Sequence, residues 1–127
     1  MDENEIGKVC LGAAITVDHE LGPGLMETAY EAALAHEING RGLAVERQVP
    51  VEWVYRGVRF EEGFRLDLRV ESRVVIELKC VETINNAHRK QLLTYLPLTG
   101  LRLGYLLDSA EARLKDGITR MVNGLPA

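Results

Sequence analysis

Residues 64–80 read FRLDLRVESRVVIELKC, two apolar stretches parted by a short polar one. Phe64, Leu66, Leu68 and Val70 alternate with Arg65, Asp67 and Arg69; Val74, Ile76, Leu78 and Cys80 alternate with Val75, Glu77 and Lys79. Successive side chains of a strand point to opposite faces, so the pattern predicts strands over 64–70 and 74–81, joined as a hairpin. With both apolar sets turned to one core, Asp67, Glu77 and Lys79 share the other face. A loop at Glu71–Arg73 then sets Asp67 directly across from Glu77, since both are equidistant from position 72. A five-residue loop about the same centre keeps that pairing.

Two carboxylates opposed at roughly 5 Å repel and weaken a sheet. A cation between them removes the conflict. Mg²⁺, with Mn²⁺ as a substitute, takes one or two carboxylates, keeps several waters and adds phosphate oxygens. Lys79 lies one side-chain step along the same face, within reach of a water or a phosphoryl group. The plain alternative is a solvated ladder in which Arg65, Asp67, Arg69, Glu77 and Lys79 pair on the open face of an antiparallel sheet.

Outward from this hairpin, Ile6, Val9, Ala13 and Val17 recur at helical spacing and predict a helix over 3–20. Leu21–Gly24 (LGPG) breaks it. A second helix runs through METAYEAALAHEI and stops near Asn39–Gly42. Ala44–Tyr55 reads as strand with a break at Pro50, and Arg56–Gly57 as a turn. Asn86–Leu98 is helical and Leu101–Asp108 a strand; for 109–123 a short helix and a closing strand both fit. The expected architecture is α/β in the order α-α-β-β-β-β-α-β, a mixed sheet flanked by helices, within a single domain over 1–127.

With 127 residues, 46% hydrophobic and 27% charged, the composition is that of an ordinary globular chain. Its uncharged runs are too short for a bilayer, which needs about 20 apolar residues. The acidic start MDENE argues against a signal peptide, and a cytoplasmic location is expected. Cys10 and Cys80 are too few for a zinc ribbon or disulfide framework and are read as buried thiols. The net charge of −4 counts mildly against binding nucleic acid by bulk charge, while leaving room for a local positive cleft. His19 and His36 carry no motif and read as structural or surface residues; Trp53 reads as core packing.

Asp67 followed by Glu77-Leu78-Lys79 resembles the core motif of the PD-(D/E)xK nuclease superfamily, with Leu66 in place of the motif's Pro. Gly24-Leu25-Met26-Glu27-Thr28-Ala29-Tyr30 resembles the signature of the GxxExxY family, a prokaryotic branch of that superfamily. The likeness extends to Gln91–Leu96 (QLLTYL) and Gly100–Leu107 (GLRLGYLL), and so spans nearly the whole chain. It implies a restriction-endonuclease-like core and a Mg²⁺-dependent nuclease. Asp67 and Glu77, joined by Glu27, would hold the metal, and Lys79 would assist the attacking water. Gln91 resembles a helix residue directed toward the site. Tyr30 and Tyr95 share helix faces with Glu27 and Gln91; each is read as either a substrate contact or packing. His88, Arg89 and Lys90 form a local basic cluster that reads either as a contact to a phosphate backbone or as an ordinary solvated helix face.

Three functions compete. One is a nuclease acting on DNA or RNA, for which a second copy of so small a chain would help enclose duplex. Another is a non-catalytic interaction module that retains the fold, favoured by the acidic charge and the lack of a separate DNA-reading domain. The last is a phosphoesterase acting on small nucleotides.

Overall fold

The computed structural model describes residues 1–23, 26–81, 83–111 and 113–125. Helix α1 (Glu3–Leu21) opens on a reciprocal cap in which Asp2 accepts the Glu5 N–H and Glu5 accepts the Asp2 N–H. Gly22 ends it at φ 77°. Helix α2 spans Glu27–Gly40; Gly24, the last residue of the expected break, and Leu25 after it lie outside the described residues. There follow β1 (Val45–Pro50), β2 (Trp53–Tyr55), β3 (Val58–Phe60), β4 (Arg65–Val70), β5 (Val74–Lys79), α3 (Asn86–Thr99) and β6 (Leu103–Asp108). A 3-10 turn at Leu114–Gly117 and β7 (Ile118–Val122) complete the order. The expected order is present, with β3 added as the partner of β2. The segment after β6 forms both the helical turn and the closing strand.

Five strands form one mixed sheet in the order β1-β4-β5-β6-β7. Among the described residues only β5 and β6 run parallel, and α3 makes the crossover that a parallel pair requires. Its two faces carry separate cores. Leu68, Val70, Val74, Ile76 and Leu78 pack against α1 and α2, while Leu66, Val75 and Leu106 pack against Leu92, Tyr95 and Leu96 of α3. A Cβ at Gly104 would lie 2.9 Å from Leu92 Cδ1, so its absence lets α3 close onto β6. The strands β2 and β3 form a separate ribbon. There Trp53 is only partly buried: it stacks on Phe60 at 4.7 Å and meets Phe64 edge-on at 5.6 Å, outside either core.

That placement corrects the expectation of core packing for Trp53, and three further expectations need correction. Phe64, Leu66, Leu68 and Val70 do not share a face: the first two pack toward α3 and the last two toward α1 and α2. The strand changes face at Asp67, as β1 does at Gln48, which has φ 52°; Val45 accordingly packs on the α1–α2 side and Val49 on the α3 side. The solvated ladder is also absent, because α3 covers the face it would need. Glu77 is 2% exposed, and Arg69 pairs instead with Glu46 at 2.7 Å. Finally, Cys10 is buried, which pushes its thiol up to about 12, but Cys80 at the end of β5 is only partly buried.

Candidate active site

The β4–β5 ladder pairs Val70 with Val74, Arg69 with Val75 and Leu68 with Ile76, and then stops. This is the register of a three-residue loop, and it brings Asp67 opposite Glu77. Where the ladder ends, backbone N–H groups still need acceptors, and carboxylates supply them. Asp67 N–H donates to Glu77 Oε1 at 3.1 Å, and Leu78 N–H donates to Asp67 Oδ2 at 2.8 Å. From the first turn of α2, Glu27 Oε1 accepts the Cys80 N–H at 3.0 Å. Three acids from three elements therefore meet at the C-terminal end of β5.

Burial pushes the Glu77 carboxyl up to about 9, and the neighbouring Asp67 charge adds to the shift. Asp67 is also raised, first by burial and further by the charge of Glu31; the Leu78 N–H and Lys79 act against this. Lys79, the last residue of β5, is partly exposed and forms no ion pair within 4.0 Å among the described residues. Its register partner on β6 is Asp108. That side chain is wholly buried, with Oδ1 accepting the Val81 and Ala110 N–H groups and Oδ2 without a partner among the described residues.

The sequence reading missed a fourth acid. Glu31, one turn after Glu27, is 4% exposed. Arg47 donates to its Oε2 from Nε at 3.1 Å and from Nη2 at 3.0 Å, and Gln48 Nε2 donates to its Oε1. The same Gln48 nitrogen makes a long contact of 3.4 Å to Asp67 Oδ1. Glu27, Thr28, Glu31, Gln48, Asp67 and Leu78 line a cleft of about 60 Å³. The spacing of Glu27 and Glu31 on one helix face was an available signal for Glu31. Nothing local marks Gln48, whose place depends on β1 lying beside β4. A larger groove of about 200 Å³, between Ile15, Asp18, His19, Arg113, Leu114 and Lys115, holds none of the expected site residues.

On the other face, Gln91 Nε2 donates to the Tyr95 hydroxyl at 2.9 Å. Burial raises that hydroxyl, and the charges of Glu77 and Asp67 act on it in the same direction, so this pair sits within electrostatic reach of the acids. Tyr30 lies in the core, fully buried, and donates to the Ala14 carbonyl at 3.0 Å, leaving no surface for a ligand. His88 serves the cap of α3: its Nδ1 accepts the Asn85 N–H while Asn85 accepts the His88 N–H, both at 3.1 Å. Arg89 and Lys90 beside it are exposed, as are His19 and His36.

Among the described residues, no group of three or more His, Cys, Asp and Glu side chains is set to hold a metal ion as it stands. The donor chemistry nevertheless fits a hard cation. The donors are carboxylate oxygens, and Glu77 and Asp67, both pushed up, would gain from positive charge beside them.

A mixed sheet between helices, with acids from two diverging strands and a lysine two residues further on, defines a nuclease-like α/β protein. The profile of the PD-(D/E)XK nuclease superfamily matches residues 4–121, and the chain belongs to that superfamily. No curated protein and no solved structure matches it. Among the described residues no helix is long and apolar enough to cross a membrane.

Proposed function

We propose that this protein is a Mg²⁺-dependent nuclease of the GxxExxY branch, hydrolysing phosphodiester bonds in DNA or RNA. The observation that carries this reading is the meeting of Asp67 and Glu77 where β4 and β5 part, with Lys79 free of ion pairs among the described residues. Asp67, Glu77 and Glu27 would hold the ion, which when bound supplies positive charge to the phosphoryl oxygens and orients them. Glu77 gives up its proton as the site loads. Lys79 holds the attacking water in line with the phosphorus and donates toward the oxygen on which charge accumulates. Gln91 and Tyr95 brace the α3 side of the site, and Arg89 and Lys90 meet flanking phosphates.

One observation favours a second reading, a non-catalytic interaction module. All three acids already accept strand-end N–H groups, a role that needs no metal. Calorimetric titration of Mg²⁺ into wild type and Glu77→Ala separates the two, with and without a non-cleavable oligonucleotide. Binding lost in the variant, followed by cleavage of single-stranded, duplex or branched substrates that fails in Lys79→Ala, supports the nuclease. Absence of binding under both conditions favours the module. Metal binding with hydrolysis of small nucleotides alone would make the protein a phosphoesterase.

A further inference from the structure

Gln48 is the residue of β1 that the fold treats least regularly. It has φ 52° within a strand, a conformation non-glycine residues adopt at a cost. The β1–β4 pairing runs on both sides of it, Arg47 with Leu68 and Val49 with Leu66, but omits Gln48 and Asp67, which face each other there. This irregularity aims the side chain at the cleft, as bulges beside active sites do. One carboxamide nitrogen then donates to Glu31 Oε1 and, at 3.4 Å, to Asp67 Oδ1.

An amide N–H₂ carries partial positive charge and two donors. Set between two carboxylates, it satisfies them in the same sense as a cation, but weakly and reversibly. We propose that the Gln48 carboxamide is a displaceable clasp: anchored on Glu31, it holds Asp67 in register while the metal site is empty, and must let go of Asp67 when a divalent cation binds. Gln48 thereby sets the affinity of the site without being one of its ligands. The inference rests on the reading of the cleft as a metal site. Removing the clasp abolishes the work of displacing it, so metal binding tightens. A ligand role for Gln48 predicts the reverse.

The test is calorimetric titration of Mg²⁺ into wild type, Gln48→Gly, Gln48→Met and Asp67→Ala, each with and without a non-cleavable oligonucleotide. Glycine adopts the positive φ freely, which guards against misfolding; methionine keeps the bulk and the strain while removing the donor. Both Gln48 variants are expected to bind about threefold more tightly than wild type, since the contact to Asp67 that no longer has to be broken is a long one, while Asp67→Ala does not bind. Binding that is unchanged or weaker in the Gln48 variants, with Asp67→Ala silent, overturns the clasp and leaves the metal site standing. Tightening in Gln48→Gly alone assigns the effect to backbone relief and also overturns it. Silence from all four proteins overturns the metal reading and the clasp together.

Discussion

The Asp67 N–H donates to the Glu77 carboxylate at 3.1 Å, at the point where the β4–β5 ladder gives out. One acid is thus held by the backbone of the other, while the second oxygen-bearing arm, Asp67 Oδ2, takes the Leu78 N–H. The arrangement fixes two carboxylates side by side, Glu77 buried and Asp67 partly so, and leaves their mutual repulsion to be resolved by a proton or a cation.

With no cation bound, a proton resolves it. The Glu77 carboxyl stands at about 9 in the folded chain against an ordinary value of 4.5. Its contribution to stability is therefore fully present below about 4.5 and is lost progressively as pH rises through 9. Asp67, also raised, works in the same direction. Metal-free protein is expected to melt at a lower temperature at pH 8 than at pH 5.5. Glu77→Gln should flatten that slope and raise the pH 8 melting point by about 5 °C or more. A melting temperature independent of pH in the wild type would refute this account of Glu77.

In the proposed nuclease, metal loading would compete with the same proton. Mg²⁺ affinity should rise with pH, by up to about tenfold per unit below 9. Titrations in buffers of different ionisation enthalpy would report one proton released per ion bound near neutral pH. Proton-free binding would mean that Glu77 is not a ligand.

The proposed mechanism gives Lys79 a role toward water and phosphate rather than toward the metal. Lys79→Ala should leave Mg²⁺ affinity within about threefold of wild type while cleavage falls by about a hundredfold or more. Loss of metal binding in this variant would return Lys79 to a structural role beside Asp108.

Arg47 and Glu31 form a pair in which the acid is buried and the base about half exposed. Arg47→Ala leaves Glu31 with Gln48 as its remaining donor and is expected to cost about 2 kcal/mol in urea unfolding. Arg47→Lys should recover only part of this, because a single ammonium cannot reproduce the two guanidinium contacts to Oε2.

Tyr30 and the basic cluster separate by readout. Tyr30→Phe removes one buried hydrogen bond to Ala14. It should cost about 1 kcal/mol of stability and leave metal binding and cleavage unchanged. His88→Ala should likewise act through the helix cap. Arg89→Ala and Lys90→Ala should leave stability alone, weaken oligonucleotide binding and each reduce its salt slope by about 1. Equal loss of binding in His88→Ala at unchanged stability would place the imidazole in the interface as well.

Much of this was written in local pattern. The alternation of residues 64–70, the charged positions Glu77 and Lys79 two apart in an apolar run, and a loop centred on Ser72 placed Asp67 opposite Glu77 before any tertiary contact is considered. The helical spacing of Ile6, Val9, Ala13 and Val17 likewise needed only near neighbours. The change of face at Asp67 was not visible, since alternation continues through it in sequence while the backbone turns over in space. That turn follows from β1 lying against β4 with Gln48 at positive φ. The same neighbourhood converts Glu31, an unremarked helix residue, into a buried acid at the cleft, and encloses Glu77 beneath α3. Periodicity records which face a residue prefers. Which residues from distant segments share a cleft is decided by the burial and hydrogen bonding gained when β1, α2 and α3 close on the hairpin, and no short stretch of chain carries that information alone.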